Sequence, residues 1–125
     1  MSSPSVFPNT YPYQNEPIWS RSEKRIARTV FDAALKQELQ EIMQEAKQKA
    51  SRIKEPAELW ELERYLTRRR KDIDQRHDFR VSRLARVLGR LLYERKISEK
   101  ELRGLGEDKM KAIRSCAKVW SDEAA

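Results

Sequence analysis

Glycine and proline are scarce in this chain where they would interrupt a helix. All three glycines (Gly89, Gly104, Gly106) lie at or beyond position 89, and four of the five prolines fall at positions 4, 8, 12 and 17. Between them runs a stretch of about 70 residues with Pro56 as its sole breaker, rich in Glu, Lys, Arg, Leu and Ala, which are strong helix formers. Strand signals are nearly absent, so the fold class expected is all-α. A single cysteine, Cys116, excludes an internal disulfide and leaves no cysteine framework for a metal; it reads as a reduced thiol near a helix end of a cytosolic protein. No apolar run approaches the ~18 residues a membrane helix needs. The start MSSPSVFPNTYPYQNEP lacks the basic and apolar segments of a signal peptide. These absences predict a soluble, cytoplasmic protein.

Catalytic parts are missing as well. His77 is the sole histidine, with no cysteine beside it and no second histidine one turn away, so a zinc or Cys/His site is incomplete. Ser82 and Ser98 have no arranged base. Asp72, Asp74 and Asp78 sit among arginines, which lower a carboxyl pKa where a general acid needs it raised. There is no glycine loop to cradle a phosphate. An enzyme is not expected, and neither is a cofactor.

What is present is charge and helical periodicity. Of the 125 residues, 38% are charged, the mean hydropathy is -0.90 and the formal net charge is +7. Residues 1–17, with Pro4, Pro8, Pro12 and Pro17 among Ser, Asn, Phe7, Tyr11 and Tyr13, read as a flexible tail. The domain proper spans residues 18–120, and 121–125 form a short second tail. Ser20 and Glu23 match a capping box, which opens a first helix over 21–53. Its apolar stripe is Ile26, Val30, Ala34, Leu35, Leu39, Ile42, Met43, Ala46, Ala50 and Ile53. Pro56 suits the first turn of a second helix over 57–96. That stripe (Leu59, Leu62, Leu66, Ile73, Leu84, Val87, Leu88, Leu91, Leu92) thins between Leu66 and Leu84, and a bend or break is predicted near 74–78. A second capping box, Ser98 with Glu101, precedes a Gly104–Gly106 break and a last helix to about Trp120. Leu102, Leu105, Ile113 and Trp120 are expected to fold onto the Leu84–Leu92 segment as a small head.

Helices of ~50–60 Å cannot enclose a core in one chain of this size. Their stripes would stay half wet, so a homodimeric helical bundle is expected. Adjacent Leu59 and Trp60 widen the apolar face into an anchor between subunits. Arg70, with its planar fork, is expected to pair across the dimer, with Glu61 and Glu63 as candidate partners. Residues 64–96 carry twelve Lys or Arg against four Asp or Glu. Such a stretch could attract phosphates, so a basic helical dimer binding nucleic acid is the alternative reading. Against it, the arginines go around the helix, and acids are interleaved where Asp72 pairs with Arg76 and Asp74 with Arg70.

These residues carry a family resemblance. PIWS at 17–20, Ala46, Ala50 and Ile53 near the end of the long helix, LWELERYLTRRR, KDIDQRHDFR and ELRGLGEDKMKAI occur in an order and spacing that resembles the fluorescence recovery protein family of cyanobacterial photoprotection regulators, from Pro17 to about Lys118. The resemblance implies an all-helical homodimer with small heads and no bound cofactor. It further implies binding to the C-terminal domain of the photoactivated, red orange carotenoid protein. Faster return of that protein to its orange form would end quenching of the phycobilisome. By the same resemblance Leu59, Trp60 and Arg70 fall on the dimer interface; Asp74, Asp78 and Arg80 match the following segment; and Gly104, Leu105, Asp108 and Lys109 match the head motif. Three positions depart from the pattern. Glu63 and Arg64 stand where His-Asp is usual, and Arg86 stands where an exposed aromatic would touch the partner. The departures mark a divergent member, including the alternative of one serving another protein partner. The candidate sites are therefore Leu59, Trp60, Glu63, Arg64 and Arg70 for the dimer, and Arg86, Leu105, Asp108 and Lys109 for the partner.

Overall fold

A computed structural model describes residues 18–124; the Pro/Tyr-rich segment at 1–17 and Ala125 lie outside the described residues. Four helices follow one another: α1 Arg21–Ser51, α2 Pro56–Arg76, α3 Leu84–Tyr93 and α4 Glu107–Ala124. Single 3-10 turns at Val81–Arg83 and Glu99–Leu102 complete the chain, with no strand among the described residues. The all-α expectation is borne out.

Helix ends follow local chemistry. The Glu23 amide donates to the Ser20 hydroxyl at 3.1 Å while the Ser20 amide donates to Glu23 Oε1 at 2.9 Å, which closes the expected capping box of α1. After a tight turn, Glu55 and Glu58 cap α2 in the same reciprocal way, and Pro56 occupies its first turn. The box at Ser98 and Glu101 also forms, but it opens a 3-10 turn, not an α-helix. Arg103 turns extended and Gly104 takes φ +103, a conformation in which a side chain would be strained. α3 ends with Arg95 in the left-handed region (φ 60), and the Lys96 amide reaches back to the Leu91 carbonyl at 2.9 Å.

The long second helix expected over 57–96 is two helices. α2 stops at Arg76, residues 77–80 cross over, and α3 restarts at Leu84. The break falls in the interval where the apolar stripe thins. Phe79 fixes it by an edge-on contact with Phe31 of α1, ring centroids 5.0 Å apart, under the Arg28 guanidinium. α4 continues to Ala124, four residues past the expected domain end, so 121–124 are helical and not a tail.

The core sits in the head. Leu84, Leu88 and Leu91 of α3, Leu102, and Ile113 and Cys116 of α4 are fully buried. The surprise is α1. Its first half (Ala27, Val30, Phe31, Ala34) and Trp19 before it belong to this same core, so the head is not made by the C-terminal segments alone. Gly89 lets α3 approach α4 closely, since a Cβ there would meet the Cys116 Cβ at 2.6 Å and the Ile113 carbonyl at 2.9 Å. Beyond Ala34, α1 leaves the head and pairs antiparallel with α2 as an arm: Glu38 meets Arg76 near the head, and Lys49 lies over the Tyr65 ring at 4.8 Å nearer the tip.

Candidate association surfaces

The arm is thin, and its apolar residues show it. Leu59 is 49%, Trp60 60%, Leu66 40% and Met43 56% exposed. At about 100° per residue, Leu59, Glu63, Leu66 and Arg70 fall on one ridge of α2, with Trp60 and Arg64 on the neighbouring ridge. All five residues expected at the dimer interface therefore lie on the outer face of α2, turned away from α1. Glu63 accepts from the Thr67 hydroxyl at 3.0 Å. Arg70 forms no ion pair within the chain among the described residues, and the Asp74–Arg70 pair expected along the helix is not made; its expected pairing with Glu61 or Glu63 is one between two copies of the chain.

The other expected helix pair is real and belongs to a larger cluster. Arg76, 8% exposed, holds Asp72 at 2.8 Å, Glu94 at 3.4 Å and, closest of all, Glu38. Glu38 is 1% exposed on α1, and the buried His77 ring stands 3.5 Å from it and edge-on to Phe31. Burial lowers the His77 pKa against the opposing pull of Glu38, so the ring is neutral near pH 7. This cluster bolts the arm to the head at the α2–α3 break. Sequence reasoning missed Glu38; the signal available was a carboxylate lying in line with Val30, Ala34 and Leu35 on the apolar stripe.

In the head, the four residues expected to meet a partner are placed unequally. Lys109 is buried: its ammonium sits 2.9 Å from Glu23 and 3.0 Å from Asp108. Glu23 also receives the Gly106 amide at 2.7 Å. Burial would raise the Glu23 pKa, but the Ser20 and Gly106 amides and the Lys109 ammonium prevail and hold it at about 2. The hydrogen bond to Glu23 raises that of Lys109 in turn. Lys109 thus fixes the start of α4 to the start of α1, with its charge spent inside the head. Asp108 is exposed beside it, and Leu105 is half-buried against the core.

Arg86 is half-buried on α3 and lines a cleft of about 120 Å³ with Gln75, Arg76, Asp78, Arg83, Val87, Arg90 and Trp120. Arg90 lies over the Trp120 ring at 4.4 Å and donates to Glu94 at 3.1 Å. Asp78 receives both Arg80 (2.9 Å) and, more loosely, Arg83 (3.5 Å), and the hydrogen bond from Arg80 lowers its pKa. Trp120 therefore packs on the side of the head as a support for Arg90, not in its core.

Among the described residues no group of three or more His, Cys, Asp or Glu side chains is set to hold a metal, and no helix is long and apolar enough to cross a membrane. Fold and surface together define an all-helical arm-and-head protein with apolar and basic side chains presented outward. A model of the family described as photoprotection regulator fluorescence recovery protein matches residues 19–117, and the chain belongs to that family. It is 32% identical over 104 residues to the fluorescence recovery protein of Synechocystis sp., covering 83% of this chain and 95% of the relative. The solved structure of the Synechocystis protein superposes with a TM-score of 0.75 at 32% identity, and that of the Fremyella diplosiphon fluorescence recovery protein with 0.75 at 30%; each match covers 81% of this chain and 99% of the other.

Proposed function

We propose that this photoprotection regulator works as a cytoplasmic homodimer that binds the red, photoactivated orange carotenoid protein through that protein's C-terminal domain. Binding speeds the return to the orange form and so ends phycobilisome quenching. The observation that carries the reading is the outer face of α2. Leu59 and Leu66 on one ridge and Trp60 on the next are exposed close to Arg70, which forms no ion pair among the described residues, in a chain that belongs to a regulator family. Clustered exposed apolar side chains of this kind mark surfaces that associate with another protein. A second copy of the chain covers the ridge with the same residues, and the heads are left at the ends of the bundle to meet the partner.

No covalent step is required of such a regulator. A protein that binds the route back to orange more tightly than the red state lowers the barrier by the difference in binding energy. Leu105, Asp108 and Arg86 on the head surface are the residues offered to the partner, with Lys109 holding their scaffold.

Nucleic-acid binding receives less support. Arg69, Arg76, Arg80, Arg83 and Arg90 are engaged with Asp72, Asp78, Glu38 and Glu94, so the basic excess at 64–96 is not a continuous track for phosphates. The test is size-exclusion chromatography of the protein with the carotenoid protein, once under actinic light and once in the dark. Co-elution with the red form and weaker or absent co-elution with the orange form is expected. Equal retention of both forms, or of neither, would contradict the proposal.

A further inference from the structure

The basic cleft on the side of the head calls for a ligand of its own chemistry. Arg83, at the end of the 3-10 turn, and Arg86 and Arg90 on α3 follow one another at steps of three and four, and all three line the cleft. Four arginines line the cleft against one carboxylate, that of Asp78. Arg83 approaches Asp78 through its Nε at 3.5 Å, and Arg90 donates its Nε–H to Glu94 at 3.1 Å. Guanidinium forks match carboxylates in bidentate geometry. Glu94 and the Trp120 ring beneath Arg90 hold one fork in place before any ligand arrives, so little ordering entropy remains to be lost on binding.

We propose that this cleft is a docking site for an acidic segment of a protein partner, with Arg83, Arg86 and Arg90 receiving its aspartate or glutamate carboxylates. The cleft, of about 120 Å³ and open to solvent on one side, has room for one or two carboxylates. Arg90 already covers one face of the Trp120 ring, a face that a stacking base would need. The proposal rests on the reading of the protein as a regulator that binds another protein.

The test is fluorescence anisotropy of a labelled deca-glutamate peptide titrated with the full chain at low and physiological salt, with a labelled oligothymidylate of equal charge as the comparison. The double variant Arg83→Gln/Arg86→Gln is expected to weaken peptide binding at least about tenfold. Arg21→Gln/Arg25→Gln, which removes the same formal charge from exposed positions of α1, is expected to change it less than about twofold. Should the glutamine variant fail to fold, Arg83→Lys/Arg86→Lys keeps the charge but loses the fork, and a clear loss is still expected. Equal weakening by cleft and control variants, no peptide binding by the wild type, or tighter oligothymidylate binding lost in the cleft variant would each overturn the proposal. A wild type that speeds recovery of the carotenoid protein yet ignores deca-glutamate would sink the cleft assignment alone. One that binds deca-glutamate in the cleft yet leaves recovery unchanged would sink the functional reading alone.

Discussion

At the scale of single residues, the head depends on a few close approaches and one buried ion pair. Gly89→Ala forces a methyl group toward the Cys116 Cβ and the Ile113 carbonyl, both under 3 Å from where it would sit. Overpacking of this kind costs about 1–3 kcal/mol, so a lower urea midpoint with an unchanged slope is expected. An unchanged midpoint would show that α3 and α4 are not in tight contact. Glu23 gives a pH signature. Its folded pKa of about 2 lies below the ordinary 4.5, so its contribution is fully present above about pH 4.5 and lost as pH falls towards 2. Glu23→Gln should therefore melt lower than wild type at neutral pH, and the gap should close between pH 4.5 and 2. A gap constant over that window would contradict the ion-pair assignment. Neither feature was legible beforehand. Glu23 was readable as a capping residue because Ser20 is three positions away, but Lys109 and Gly106, more than eighty positions on, give a single sequence no trace of their pairing.

At the scale of elements, the apolar periodicity and the capping residues marked the helical stretches, with α2 and α3 read as one helix, while the helix ends depended on what they touch. The break between α2 and α3 announced itself as a thinning of the stripe after Leu66. Its position is set by Phe79 on Phe31 and by Arg76 on Glu38, contacts with α1 that leave no local mark. The Ser98–Glu101 box was read correctly and still did not start an α-helix, because Arg103 and Gly104 leave helical geometry within one turn. The first half of α1 shows the same stripe as its second half, so nothing in its pattern said that one half is head and the other arm. The Glu38–Arg76 bolt between them is testable. Arg76→Ala strands a buried carboxylate and is expected to cost about 3–5 kcal/mol in urea denaturation. Replacing both residues, as Glu38→Met/Arg76→Met, should recover most of that loss, since no lone charge then stays buried. A double variant as unstable as the single one would refute the bolt.

At the scale of the whole molecule, the chain buries a well-packed core in the head and leaves the arm with one face uncovered. Leu59, Trp60, Glu63, Arg64 and Arg70 are exposed on α2, and their place at a dimer interface is part of the proposal, whereas Lys109 is buried in the head. Trp60→Ala should shift the protein toward monomer in light scattering at micromolar concentration, because the proposed interface loses a large aromatic anchor. An unchanged mass would place the interface elsewhere. Membership of the photoprotection regulator family was legible because its marks, from PIWS to ELRGLGEDKMKAI, lie along some hundred residues in fixed order. Choice of partner is less legible, since Glu63, Arg64 and Arg86 change charge at the surfaces where recognition would occur. The measurement that tests the account most directly is the dark recovery of photoconverted orange carotenoid protein, followed by absorbance with and without this protein. A faster red-to-orange return, increasing with added protein, is the predicted result. An unchanged rate in the presence of the folded protein would contradict it.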